Sequence, residues 1–196
     1  MKISAIAVVA AILTAVTGPS LADDRQKLGG AAAAEDEAAR RYFTDTELID
    51  QDGKPRRFYS DLIRGRKVLI NFAFTSCKGV CPTMTANLAR VQKLLGKRVG
   101  TEVTILTISV DPVNDTPAAL KRYAAQFKAE PGWYFLTGAP ENVKEVLKRL
   151  GGLAPRPEEH SAVLLVGDAA TGYWVKAAAV DKPESIVTLL DHIDDK

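Results

Sequence analysis

Two periods of apolar residues run through this chain. Lys67-Val-Leu-Ile-Asn-Phe-Ala-Phe74 is nearly all apolar, as in a strand covered on both faces. Val103 to Val110 repeats that character. Between them Met84, Leu88, Val91 and Leu95 recur every three or four residues, which predicts a helix from Pro82 to Leu95. A second helix is predicted over Thr116 to Phe127, with Thr116 as cap and Pro117 in its first position. Trp133 to Leu136 reads as a short strand, and Pro140 to Leu150 as a helix stopped by Gly151-Gly152. Ala162 to Val166 and Tyr173 to Val180 read as an antiparallel pair, and Lys182 to His192 as a closing helix. Upstream, Phe43 to Ile49 and Arg56 to Phe58 flank Asp50-Gln51-Asp52-Gly53, a hairpin signal. Ser60 to Ile63 follows as a short helical turn.

Alternating strands and helices predict a sheet with helices on both faces, and the final antiparallel pair makes that sheet mixed. The expected fold class is therefore α/β and thioredoxin-like, with an added N-terminal β-hairpin and an extra helix. Ahead of it, Lys2 precedes an apolar run from Ile3 to Val16, then Gly18-Pro19 and Ser20-Leu21-Ala22. That layout predicts a secretory signal peptide over residues 1–22, cleaved after Ala22. The run is short for a membrane span of roughly 20 residues. No cysteine follows it, which argues against a lipid anchor, so the expected location is periplasmic, with an uncleaved anchor as the lesser alternative. Residues 23–41, rich in Ala, Gly and charge, read as a tether, and residues 42–196 as one domain. Lys2 is the only charge in residues 1–22, so the formal net charge falls from +2 to +1 after cleavage. Such a balance gives no electrostatic case for nucleic acid or an anionic membrane.

The chain holds two cysteines, Cys77 and Cys81. A disulfide across so short a loop stabilises weakly, so the pair is better placed for chemistry than as a staple. Phe74-Thr-Ser-Cys77-Lys-Gly-Val-Cys81-Pro joins a buried strand to a helix, the position where functional groups gather in open α/β sheets. Cys81 falls at or next to the helix N-cap, and Lys78 lies nearby; both features are expected to favour a thiolate. Two thiolates suit a soft ion such as Cu(I), or zinc. The histidines available to complete such a site are His160 and His192. His160 precedes a strand and can approach the cysteine loop; by position alone it is equally an ordinary surface imidazole. His192 falls on a solvated face of the last helix.

Three ordered motifs then stand out. Asn-Phe-x-Phe-Thr runs into Cys-x-x-x-Cys-Pro; Ser-Val-Asp-Pro-x-x-Asp-Thr-Pro follows; His-Ser precedes an apolar strand. Together they resemble the SCO/SenC family over roughly Phe43 to the C-terminus. The resemblance implies copper, Cu(I) or Cu(II), held by Cys77, Cys81 and His160. It implies delivery of that copper to a cytochrome c oxidase copper-centre subunit or another periplasmic copper or thiol protein. Nucleic acid is not expected as a partner, and the membrane only through the target. Asp111 is placed near the site, where a turn carboxylate is favoured over a ligand. Lys78 and Gly79 depart from the proline or acidic residue that many members carry after the first cysteine.

A second reading makes Cys77 and Cys81 the redox-active pair of a thiol–disulfide reductase that keeps the target's cysteines reduced. Against it, three residues separate the sulfurs instead of two, and reductase chemistry has no need of His160. A peroxidase-like thiol enzyme fits less well. Asp111, Asn114 and Asp115 match no calcium spacing, and Asp115-Thr116 reads as a helix start. Gly138 and Gly151-Gly152 show no phosphate-loop pattern.

Overall fold

The structure, a computed structural model, describes residues 33–193. The leader and most of the expected tether lie outside the described residues. The chain divides into compact units 1–35 and 36–196, and the account below concerns the second. Helical residues 36–43 (α1) lead into a hairpin of β1 (Glu47–Asp50) and β2 (Pro55–Arg57). A π-helical turn over Phe58–Ile63 then buries Phe58, Tyr59, Leu62 and Ile63. The core of the domain alternates: β3 (Lys67–Ala73), α2 (Cys81–Leu95), β4 (Val103–Ser109), α3 (Pro117–Gln126), β5 (Trp133–Thr137) and α4 (Pro140–Leu150). The chain closes with β6 (Val163–Asp168), β7 (Tyr173–Ala178) and α5 (Pro183–Asp191).

One sheet of seven strands results, in the order β2-β1-β5-β4-β3-β6-β7. β3 pairs in parallel with β4, and β4 with β5, whereas β6 runs antiparallel to β3 and β7 to β6. This is the mixed, helix-flanked sheet that the apolar pattern implies. The two faces carry separate cores. Leu69, Ile105 and Phe135 look towards α2, α3 and α5; Val68, Ile70 and Phe72 look towards α4 and α1. On α2 the predicted stripe of Met84, Leu88, Val91 and Leu95 is the buried one. All seven residues of β4 are buried, so its polar side chains need internal partners. Thr107 Oγ1 donates to Asn71 Oδ1 (2.7 Å) and accepts from Trp133 Nε1 (3.0 Å).

Two glycines are fixed by close approach. A Cβ on Gly152 would sit 2.5 Å from the Phe72 ring, and one on Gly167 would sit 2.1 Å from the Trp174 ring. The start of the domain differs from expectation. Phe43 ends a helix and does not begin a strand. Thr44, with φ of 67°, turns the chain, and its N–H donates to Arg40 O (2.8 Å). Phe43 is claimed by the core, stacked on Tyr59 with centroids 6.3 Å apart and tilted against Trp174 at 4.8 Å. α1 is held further by Asp36, which accepts from Tyr59 Oη (2.8 Å) and pairs with Arg64 (2.8 Å).

Candidate metal centre

β3 ends at Ala73, and the chain must reverse into α2. Cys77 N–H donates to Phe74 O (3.2 Å), which tightens the loop, and Cys81 becomes the first residue of α2 with Pro82 behind it. Proline is tolerated there because the first helical N–H groups have no partner in the helix. β6 runs antiparallel to β3, with Leu164 opposite Asn71. The segment entering β6 therefore arrives beside the end of β3, and His160 sits on that segment after a short 3-10 turn over Pro157–Glu159. The sequence separation of 79 residues closes to 3.1 Å between Cys81 Sγ and His160 Nε2. One ligand atom each from Cys77, Cys81 and His160 lies within 4.8 Å of the others, a spacing that could hold a metal ion. Both cysteines are free thiols.

The imidazole is preset for this task. His160 Nδ1 faces Ser161 O at 3.2 Å. A carbonyl oxygen only accepts, so Nδ1 carries the hydrogen and the neutral ring presents a lone pair at Nε2. Burial holds the His160 pKa below its usual value, opposed by the bond to Ser161. The ring is therefore neutral near pH 7. Phe74 packs against it edge-to-face, with centroids 5.9 Å apart.

The two thiols differ. Cys77 is partly exposed, whereas Cys81 is fully buried. Burial first, then the neighbouring Cys77 thiol, pushes the Cys81 pKa from 9.0 up to about 12. This corrects the expectation of a thiolate at the helix start. The helix dipole contributes only partial charge, and complete desolvation of a sulfur anion outweighs it. Lys78 is exposed to solvent and does not offset that burial. Cys81 therefore rests as a thiol and releases a proton when a metal binds.

Behind the ligands lies a layer that the motifs do not reveal. Thr85 Oγ1 donates to Cys81 O (2.9 Å) and so accepts from Tyr123 Oη (3.0 Å). Asp115, 1% exposed, accepts from Thr75 and Ser109. The helix-start reading of Asp115-Thr116 holds for Thr116, whose Oγ1 accepts from Ala119 N–H (3.2 Å). Asp115 instead turns inward, and only its place between a polar strand end and a helix cap hints at that. Asp111 is a turn carboxylate, accepting from Asn114 Nδ2 at 3.0 and 2.9 Å. It does not join the cluster. His192 is exposed, its Nδ1 on Thr188 O (2.9 Å), and stays apart from the cluster as well.

A thioredoxin-type sheet with Cys-x-x-x-Cys at the β3–α2 junction, and a histidine folded onto it, defines a thiol and imidazole site for a soft metal. The SCO1/SenC family model matches residues 34–192, and the chain belongs to that family. It is 37% identical over 118 residues to the SCO1 protein homolog of Bacillus subtilis, covering 59% of this chain and 60% of that one. A solved structure of BsSco, described as showing a disulfide switch in a member of the Sco family of cytochrome c oxidase assembly proteins, is 29% identical with a TM-score of 0.63. It covers 75% of this chain and 90% of that one. Bradyrhizobium japonicum ScoI with copper bound is 29% identical, TM-score 0.63, over 76% of this chain and 96% of that one. A SCO1/SenC family lipoprotein from Bacillus anthracis is 29% identical, TM-score 0.64, over 75% and 91%. The chain spans roughly half to two thirds of the length of the curated relatives it matches.

The lipoprotein corrects one expectation. A form set free in the periplasm by cleavage after Ala22 does not stand beside a relative held at the membrane. That expectation rested on the shortness of the apolar run and on the lack of a cysteine at its end. Among the described residues, no helix is long and apolar enough to cross a membrane.

Proposed function

We propose that this protein binds copper through Cys77, Cys81 and His160 and delivers it to a copper centre of cytochrome c oxidase. The observation that carries the reading is the approach of a neutral imidazole, its Nε2 lone pair turned to the buried Cys81 thiol and accepting from it at 3.1 Å. Two thiolates and an imidazole are a donor set for copper, and relatives of the same fold are described with copper bound and as oxidase assembly proteins. The half-exposed Cys77 is the point of entry. It would meet the ion first, each thiol would release its proton on engaging the ion, and His160 would complete the site without a change of protonation. A three-ligand site leaves an open approach for a ligand of the acceptor.

The acceptor meets a surface with apolar character. Val80, Val113 and Val180 are 38%, 76% and 50% exposed. They belong to three separate loops at the end of the sheet where β3 and β4 finish and β7 leaves. Such a rim fits a folded protein face with a soft copper site at its centre.

The test is anaerobic titration of the reduced protein with Cu(I) and Cu(II), followed by transfer to an apo copper-centre domain of the oxidase. One copper per chain, lost to the acceptor and not to bulk chelator, supports the reading. Copper uptake unaffected by removal of His160 overturns it. A second reading draws on the inequality of the sulfurs. An accessible Cys77 backed by a buried Cys81 suits attack on a target disulfide followed by resolution of the mixed disulfide.

A further inference from the structure

Asp115 is placed where it can govern the metal loop without touching a ligand. Its carboxylate is 1% exposed. Oδ1 accepts from Thr75 N–H (3.1 Å) and from Thr75 Oγ1–H (2.5 Å). Oδ2 accepts from Ser109 Oγ–H (2.5 Å), with Thr75 N–H at 3.3 Å. Ser109 Oγ in turn accepts from Asp111 N–H (3.0 Å). Three segments meet on this one side chain. Thr75 opens the cysteine loop two residues before Cys77; Ser109 ends β4; Asp115 itself precedes the cap of α3. The loop's own backbone contributes the bond from Cys77 N–H to Phe74 O (3.2 Å).

Every group facing Asp115 in this clasp is a donor. The carboxylate, an acceptor on both oxygens, satisfies all of them, and no neutral side chain of the same shape can. Asparagine would turn an NH2 onto either Ser109 or Thr75. Buried polar clusters that are fully satisfied hold one arrangement; half-satisfied ones do not.

The geometry points to Asp115 as a positioning residue that fixes the Cys77 arm of the loop, and through it the copper affinity and spectrum of the site. This deepens the copper reading and rests on it for its metal readouts. The clasp also predicts the reactivity of Cys77 in the metal-free protein, which does not depend on copper. Outer groups that orient metal ligands are worth about 10–100-fold in affinity, and the same range is expected here.

The experiment compares wild type with Asp115→Asn, Thr75→Val, Thr75→Ser and Asp50→Asn. Thr75→Val removes one donor at constant shape, whereas Thr75→Ser keeps both. Asp50→Asn is the control for general damage. Asp50 is another carboxylate 1% exposed, accepting from Asp52 N–H, Lys54 N–H and Arg56 Nε, in the β1–β2 hairpin. Three quantities are read at a temperature where all are folded: Cu(I) affinity, the Cu(II)–thiolate absorption band, and the alkylation rate of Cys77 without metal. Asp115→Asn and Thr75→Val are expected to lose about tenfold or more in affinity, shift the band, and change the alkylation rate. Thr75→Ser and Asp50→Asn should match wild type in all three. A wild-type spectrum, affinity and alkylation rate in Asp115→Asn overturns the assignment. So does an equal change in Asp50→Asn. If wild type takes up no copper, the copper reading falls, and the alkylation rates alone decide whether Asp115 positions the loop.

Discussion

Replacing His160 by alanine separates a three-ligand site from a simple dithiol. The imidazole is 8% exposed and makes two polar contacts, to Cys81 Sγ at 3.1 Å and to Ser161 O at 3.2 Å. Its removal strips a ligand, and even the loss of an outer-shell partner costs about 10–100-fold in metal affinity. The loss of copper affinity should therefore exceed about 100-fold, or about 2.7 kcal/mol. The metal-free protein should lose less. Net hydrogen bonds contribute about 0.5–1.5 kcal/mol each, and a buried group left unpaired costs about 1–3. Ser161 can turn its carbonyl to water, so a stability loss of about 1–3 kcal/mol is expected. Competition with a calibrated Cu(I) chelator reads the first quantity, and urea unfolding of the metal-free form reads the second. His192→Ala is the control, since that ring bonds to its own helix at Thr188 O and stays outside the cluster. The reasoning is refuted if His160→Ala retains copper within about threefold of wild type, or if His192→Ala is the variant that loses it.

Other outcomes follow from the same geometry. Because Cys81 holds its proton, with a pKa pushed from 9.0 up to about 12, copper must displace it. Affinity measured between pH 6 and 8 should tighten about tenfold per pH unit for each proton released; a flat profile would remove the buried thiol from the ligand set. Tyr59 and Tyr123, each raised from 10.0 to about 12 by burial first, join Cys81 in an alkaline effect on the metal-free, reduced form. The folded chain keeps protons that the unfolded chain sheds, so this stability is intact below about pH 9 and falls as pH rises towards 12. Urea midpoints at pH 8 and 10.5 check the direction, and Tyr59→Phe should flatten the slope. Gly152→Ala sets a methyl 2.5 Å from the Phe72 ring and should cost about 1–3 kcal/mol; unfolding midpoints with unchanged stability would show that the α4–sheet contact yields more than the packing implies.

The elements from Lys67 onward are legible in the sequence because one period dominates each segment. β3 and β4 are buried on both faces and read as apolar runs; α2 shows its core stripe at intervals of three and four. The first residues of the domain are less legible. Phe43 looks like the start of a strand until the distant Trp174 and the π-turn Tyr59 are folded against it. Local pattern cannot weigh a partner 131 residues away.

The site divides in the same way. Cys77 and Cys81 are legible from spacing, and His160 from the family motif, because ligand chemistry restricts the residue types. The protonation of Cys81 is not legible. A helix start and a nearby lysine are local features, whereas the full burial of the sulfur is produced by the packing of α2 and the arrival of the β6 entrance. Backbone bonds at Phe74 and Cys81 favour the ionised sulfur, and burial opposes them and wins. Under the copper transfer proposed above, that outcome has a use. A site with a standing pair of thiolates would attract any soft ion and any oxidant, and its copper would be hard to release. A site that must give up a proton to bind regains it on release, so the buried thiol returns part of the binding free energy at the moment of transfer. Asp111 and Asp115 sharpen the point. They lie four residues apart in one motif, yet Asp111 faces the surface turn and Asp115 the buried clasp. Nothing in their spacing separates them; the polar end of β4 and the first turn of the cysteine loop do, by presenting donors to one carboxylate and leaving the other to Asn114.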